Sequence, residues 1–302
     1  MNHEPNKGEK CPCCDGSALK ITEHSNQSAI SVSLNHFSAS SSAQLRQNLV
    51  ACQNCALVFV SPMPNESEVL EAYTENLEEI HSSENKKRIK SFRRVFRWLK
   101  TKDFYLNNEI NYIADIGCAS GAFLVCAENE GLRVIGFEPS KTLSGIAQNE
   151  YGLNVINGIF SESRFLRNKL DMVTLWDVLE HVAQPNSLIT QISSSLKLRG
   201  LLLVNIPVLD SVAARLLRNF WPFYLDVHLL YFKKQTLINY LEINGFRYLR
   251  SKSYWQTLSV GYLISRYVKL PIFFNSILEN IPFRYNMGQR TFVFIKEKEL
   301  KN

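Results

Sequence analysis

The chain lacks any run of about 18 apolar residues, the length a membrane-crossing helix needs. Its longest apolar stretch, Leu201 to Leu209, is broken by Asn205 and Pro207 and suits a buried strand. The first ten residues are polar, so the apolar core of a secretory signal is missing. No internal repeat is visible. Charge imbalance is small, +6 over 302 residues, with 45% hydrophobic and 21% charged residues, an ordinary globular composition. These absences lead to the expectation of a cytoplasmic protein with no membrane span. In that compartment the seven cysteines should be thiols or metal ligands, not disulfides. The length allows one large domain and a small one.

Much of the positive charge lies in one segment, Lys86 to Lys100. There Ile89, Phe92, Val95, Phe96 and Leu99 recur at helical spacing, with lysines and arginines between them. The plainer reading is an amphipathic helix whose apolar stripe packs on the core while its basic face meets water. The sharper one is a docking face for an acidic carrier, nucleic acid or a membrane surface. Nothing else in the sequence selects among those three.

The cysteines are unevenly placed. Cys11-x-x-Cys14 and Cys52-x-x-Cys55 form two pairs with 37 residues between them, and a polar Ser-rich stretch, 25–42, lies in the gap. Each CxxC turn can offer two thiolates to one tetrahedral ion, so the four residues are candidate zinc ligands. Cys13 competes with Cys14, although only Cys14 makes the x-x spacing. Four thiolates close a site, which makes the zinc structural and not catalytic. Cys118 and Cys126 read as packing residues.

From about residue 106 the pattern changes to alternating strands and helices, which predicts a doubly wound α/β sheet, mostly parallel. Strands are expected near 112–117, 133–138, 153–157, 171–176 and 200–206. Helices should fall near 121–130, 140–150, 184–197 and 233–244. Phe246 to Gln256 and Arg290 to Lys296 read as two more strands, separated by an aromatic-rich insertion at about 257–289. Within this pattern, Asp115-Ile116-Gly117-Cys118-Ala119-Ser120-Gly121-Ala122-Phe123 reads as a strand, a tight turn of small residues and a helix. Small residues let the backbone approach a ligand, and the helix start offers unpaired N–H groups. The next strand ends in Glu138, 23 residues after Asp115, where an acid suits the two hydroxyls of a ribose. A nucleoside-containing cofactor follows. A dinucleotide fingerprint fits poorly, because Ala119 stands where the middle glycine would face the pyrophosphate.

The Asp115–Phe123 stretch resembles motif I of class I S-adenosylmethionine-dependent methyltransferases. Three later stretches add to the resemblance in the family's order. Asp171 to Val182 is similar to the fourth strand and the turn after it. Leu198 to Pro207 is similar to the turn and fifth strand. His228-Leu229-Leu230-Tyr231-Phe232, with Thr236-Leu237 and Gly245-Phe246, is similar to the return of the last helix. Cys52 to Pro62 looks like the zinc-ribbon leader that precedes many such domains, with Ala56 where the leader usually has Gly. The resemblance implies a Rossmann-like sheet with a terminal antiparallel hairpin, preceded by a small Cys-rich module. It divides the chain into a zinc-ribbon-like module at 1–64, a helical linker at 65–105 and the methyltransferase domain at 106–302.

By motif position, Gly117, Ala119 and Gly121 line the cofactor through their backbone, and Asp115 supports the loop or the cofactor's ammonium group. Glu138 holds the ribose, and Trp176 and Asp177 sit beside the methyl-transfer point. The acid that often binds adenine is absent from Asn157 to Glu162, where Glu162 or a backbone N–H group would serve. Methyl transfer from a sulfonium needs positioning above all, and a base if the nucleophile is a hydroxyl or a protonated amine. The candidate bases are His181 and His228. The family often has an acid just before the second histidine; here that residue is Val227, with Asp226 one step earlier. The expected acceptor is a small molecule, with a sugar or glycan precursor suggested by the ribbon leader. The alternative is an RNA or protein methyltransferase that uses the ribbon and the basic helix for recognition. The sequence carries no NPPY-type motif and no aromatic-basic interleaving in the ribbon to support it.

Overall fold

The computed structural model describes residues 9–17, 19–22, 48–75, 84–160, 165–265, 278 and 280–298. The Ser-rich stretch 25–42 and Glu162 lie outside the described residues. The first elements are β1 (Leu19–Ile21), β2 (Asn48–Cys52), β3 (Val58–Ser61), α1 (Glu66–Glu75), α2 (Asn85–Leu99) and α3 (Asp103–Leu106). The α/β core follows with β4 (Tyr112–Ile116), α4 (Ala122–Asn129), β5 (Arg133–Glu138), α5 (Lys141–Tyr151), β6 (Val155–Asn157), β7 (Leu170–Trp176), α6 (Pro185–Ser195) and β8 (Leu196–Pro207). Then come α7 (Val212–Leu217), β9 (Leu230–Tyr231), α8 (Lys234–Ile243), β10 (Phe246–Ser253), β11 (Gln256–Ser259), α9 (Val260–Ser265), β12 (Pro282–Tyr285) and β13 (Gln289–Lys296).

The main sheet has seven strands in the order β10-β13-β8-β7-β4-β5-β6. Its pairs from β6 to β8 are parallel, while β13 runs antiparallel to both β8 and β10. This is the expected doubly wound sheet with an antiparallel hairpin at one edge. The central strands read as continuous apolar runs because both faces are covered. On one face, Phe92, Phe96 and Leu99 of α2 pack with Ile113, Met172 and Leu203 of the sheet. Each such side chain contributes roughly 1.5–3 kcal/mol on burial. The apolar stripe of α2 therefore does what its periodicity predicts.

The opposite face shares a single core with the Cys-rich module: Cys11, Cys52, Leu57 and Phe59 lie in the same cluster as Leu175, Val204 and Phe294. A second sheet, ordered β1-β2-β3-β9, takes its last strand from Leu230–Tyr231, far along the chain. The Val60 N–H adds a bond of 3.0 Å to the Leu229 carbonyl. The module is thus fixed to the segment that carries His228. The aromatic segment splits in two. Trp221, Tyr224 and Tyr231 pack with Leu49, Val58 and Val60 of the module, while Phe223, Leu225 and His228 face a cavity above the sheet. The insertion after β10 supplies the antiparallel pair β11–β12. Periodicity gave no sign of it, since its strands are four residues each.

Candidate active site

The turn after β4 is built from left-handed backbone. Gly117 has φ +66°, Ala119 +48° and Gly121 +82°. A Cβ on Gly117 would stand 2.6 Å from Val178 Cγ2, and one on Gly121 would stand 2.2 Å from Leu153 Cδ1. Glycine meets both demands, whereas Ala119 carries the strain that a left-handed L-residue costs. The N–H groups of Gly117 and Cys118 donate to the Phe137 carbonyl at 2.8 and 3.1 Å. Glu138 then completes the turn. One carboxylate oxygen accepts from the Ala119 N–H at 2.9 Å, and the other from the Ser140 N–H at 2.8 Å.

Asp115 is buried beneath this loop and accepts a 2.6 Å hydrogen bond from the Thr174 hydroxyl. Burial, helped by the nearby Glu138 carboxylate and opposed by Thr174, pushes its pKa up to about 8. At neutral pH the side chain is protonated. Asp177, after β7, has φ +56°. Its carboxylate is gripped by Gln289 Nε2 at 2.9 and 2.8 Å and by Asn205 Nδ2 at 2.8 Å. Burial still holds its pKa up at about 6. Trp176 packs among Phe92, Phe123 and Tyr254, edge-on to the first and tilted to the others, with centroids 4.9, 5.2 and 5.7 Å away.

These groups converge on one cavity of about 310 Å³. Asp115, Gly117, Ala119, Glu138, Trp176, Asp177, His181 and His228 all line it. Gly121 does not: it sits behind the turn and starts α4, where the Val125 N–H donates to its carbonyl at 2.9 Å. His181 places Nδ1 2.7 Å from the Val227 carbonyl, so that nitrogen carries the proton. Burial lowers the His181 pKa to about 4, which keeps the ring neutral. The rings of His181 and His228 meet edge to face with centroids 4.7 Å apart.

Several cavity residues were not singled out from the sequence. Asn85 and Arg88 of α2 point in, although Arg88 was counted with the solvated basic face. The signal was present: 85, 88, 92, 95 and 99 follow helical spacing, so both belong to the buried stripe. Asn85 Nδ2 donates to the Ser120 carbonyl at 2.8 Å and ties α2 to the turn after β4. Beside it, the Glu84 carboxylate accepts from the Ser259 N–H and hydroxyl, both at 2.7 Å, tying α2 to β11. Gln256, Leu258 and Tyr285 of the β11–β12 pair close the cavity with Gln289. Glu180 lies inside a quoted motif but had been given no role.

Among the described residues, five that line the cavity have a buried polar atom with no hydrogen-bond partner: Asn85 Oδ1, Arg88 Nε, Trp176 Nε1, both carboxylate oxygens of Glu180, and Gln289 Oε1. Each such orphan costs about 1–3 kcal/mol unless something meets it. Orphans gathered in one concave place mark a ligand site.

The module's chemistry is local. Cys11 Sγ and Cys55 Sγ are 3.5 Å apart, as are Cys14 Sγ and Cys52 Sγ. The four sulfurs lie within 4.8 Å of one another, and Cys13 is outside the group. Two turns aim them, with the residue after each second cysteine left-handed: Asp15 at φ +56° and Ala56 at +62°. That left-handed backbone suits Gly better than Ala56.

The methyltransferase-domain family matches residues 80–251, more than half of the chain. The chain belongs to that family and is an S-adenosylmethionine-dependent methyltransferase. Among solved structures, it is similar to magnesium protoporphyrin IX methyltransferase from Synechocystis PCC 6803 with bound SAH. Identity is 14%, with 77% of this chain and 100% of that chain covered and a TM-score of 0.51. A SAM-dependent methyltransferase from Thermotoga maritima, described as a possible histamine N-methyltransferase, aligns at 18% identity. It covers 76% of this chain and 99% of its own, with a TM-score of 0.49. No curated protein matches the chain. No described helix is long and apolar enough to cross a membrane.

Proposed function

We propose that the protein methylates a small polar acceptor, of the size of a sugar or glycan precursor, in the cavity between the cofactor turn and the β11–β12 pair. The observation that carries this reading is the cluster of orphaned polar groups in a space of about 310 Å³. That volume is at the low end for small-ligand pockets, which typically span about 300–1,000 Å³. Polar groups enclosed in this way, and not spread over an open face, favour a small acceptor over an RNA or protein chain.

When bound, S-adenosylmethionine supplies an electrophilic methyl group and departs as a neutral thioether. The chain's own residues have the following roles. Gly117 and Ala119 line the cofactor through their backbone, and Gly121 shapes the turn from behind. Glu138 holds the ribose hydroxyls while keeping the turn closed. Asp115 supports the loop. Trp176 walls the transfer point, and Asp177 fixes the turn after β7 through Gln289 and Asn205. His181, His228 and Glu180 face the acceptor and handle the proton of its nucleophile. Holding cofactor and acceptor in one cavity lets positioning supply most of the rate.

We further infer that Cys11, Cys14, Cys52 and Cys55 hold one structural zinc. Zinc–sulfur bonds of 2.3 Å in a tetrahedron require sulfurs about 3.8 Å apart, close to the 3.5 Å found in both pairs. On this reading residues 1–64 are a stapled module, 65–105 a helical connection that covers the cofactor turn, and 106–302 the transferase. A cytoplasmic setting, where thiols persist, suits such a site.

The test is incubation of the purified chain with methyl-labelled cofactor and a panel of sugar nucleotides, amino sugars, RNA and peptides. Label in a small-molecule product supports the proposal. Label only in RNA or peptide overturns it.

A further inference from the structure

We propose that Glu180, His181 and His228 form a second divalent-metal site at the acceptor end of the cavity, distinct from the four-cysteine cluster. The inference rests on the methyl-transfer reading of this cavity and adds the means by which the acceptor is held and activated.

One ligand atom from each of the three residues lies within 4.8 Å of the other two. Glu180 is 1% exposed, and neither carboxylate oxygen has a hydrogen-bond partner among the described residues. A buried carboxylate without a donor is among the costliest arrangements in a protein, unless a cation meets it. Asp177 is not a competing ligand, because Gln289 and Asn205 hold its carboxylate.

The backbone places the three side chains before any ligand arrives. Glu180 and His181 share the short helical turn Leu179–His181. The Glu180 carbonyl accepts from the Leu229 N–H at 2.7 Å, and His181 Nδ1 donates to the Val227 carbonyl at 2.7 Å. These two bonds flank His228 on either side in sequence and clamp it to the turn that carries the other two residues. They also fix the His181 tautomer. With the proton on Nδ1, the lone pair is on Nε2, and a ring N–H bonded to a carbonyl is the usual support of a metal-ligating histidine.

Metal bonds of about 2.0–2.2 Å put neighbouring ligand atoms roughly 3–3.5 Å apart, so binding draws the three inward from their present spread. Two imidazoles and one carboxylate suit borderline divalent ions such as zinc, manganese or iron, and leave coordination positions open. Those positions face the cavity. A cation there lowers the pKa of an acceptor hydroxyl that coordinates it. The hydroxyl gives its proton to cavity water. Its oxygen pair forms the bond to the methyl carbon, the carbon–sulfur bond breaks, and that pair returns to sulfur as the neutral thioether. His181 and His228 then act as ligands, where their sequence positions suggested bases.

The experiment uses the full chain with zinc retained in its cysteine cluster. Manganese(II) is titrated and unbound ion followed by electron paramagnetic resonance, while calorimetry measures S-adenosylmethionine binding on the same samples. The wild type should bind one manganese ion per chain, and zinc should displace it. Glu180→Gln and His228→Gln should each weaken manganese binding at least tenfold, with cofactor affinity within about threefold of wild type. If the wild type binds cofactor but takes up no manganese, zinc or iron(II) beyond the cysteine-held ion, the metal site is overturned and the methyl-transfer reading stands, with the histidines as bases. Manganese binding that survives unweakened in both variants also overturns it. Loss of cofactor binding by the wild type would instead strike the underlying reading, while the manganese count still decides the metal site.

Discussion

Replacing Glu138 by Gln separates two tasks that the carboxylate performs. In the structure it accepts from the N–H groups of Ala119 and Ser140, at 2.9 and 2.8 Å. A carboxylate has about four acceptor positions, so holding the turn and accepting two ribose hydroxyls are compatible. Glutamine keeps one oxygen and turns an NH2 group toward the other donor. The loss of one charge-assisted bond costs about 1.5–3 kcal/mol. If the ribose role is real, that cost appears in binding as a rise in Kd of roughly 10- to 150-fold. Its structural share appears separately, as a lower melting temperature of the cofactor-free protein. Calorimetric titration with S-adenosylmethionine and melting of the free protein measure the two shares on one preparation. A variant that melts lower but binds with wild-type affinity would refute the reasoning: Glu138 would then only staple the turn, and the ribose would sit elsewhere.

Other expectations follow from local geometry. Asp115 titrates at about 8 in the fold against 3.8 in the unfolded chain. The folded state therefore keeps a proton that the unfolded state has released, and stability declines as pH rises from about 4 to 8. The steepest slope is about 1.4 kcal/mol per pH unit. Asp115→Asn should flatten this decline in denaturant titrations at pH 5 and 8; an unchanged slope would assign it to other groups. Gly121→Ala forces a left-handed alanine whose Cβ meets Leu153, and should lose about 1–2 kcal/mol by chemical denaturation. Stability equal to wild type would show that the turn relaxes. The pair Cys52→Ser/Cys55→Ser should lose about one zinc per chain by elemental analysis, and with it the order of the module. Full retention of zinc would place the metal elsewhere. Phe223→Ala should lower turnover and lower the melting temperature less than Tyr224→Ala does, because Phe223 is half-buried at the edge of the module's cluster and faces the cavity. Tyr224→Ala should lower the melting temperature, because Tyr224 packs on the module. Equal behaviour of the two would deny the division of the aromatic segment.

The turn after β4 was legible because its demands are local. A strand, three small residues and an acid at the end of the next strand are set by backbone conformation over some twenty positions, and Gly117, Gly121 and Glu138 each answer a steric or hydrogen-bonding need. The two CxxC pairs were legible for the same reason, and the structure separates Cys14 from Cys13 by bringing only the former to the cluster. What remained hidden depends on distant pairings. Glu180 sits in a readable motif, but its burial without a donor arises only when β9 and the turn Leu179–His181 are clamped together. The β11–β12 pair was concealed inside an insertion whose aromatic content outweighs its short strands. Arg88 was readable by helical spacing with Phe92, yet its charge grouped it with the exposed lysines around it. The second sheet draws strands from residues 19 to 231, a pairing that no local pattern announces.

The most direct test of the central claim is a crystal structure of the full chain grown with S-adenosylhomocysteine. The account predicts the ligand in the cavity, its ribose hydroxyls within hydrogen-bonding distance of the Glu138 carboxylate and its sulfur toward the end that carries Asp177, His181 and His228. A ligand seated outside this cavity, or inside it with its ribose away from Glu138, would contradict the account.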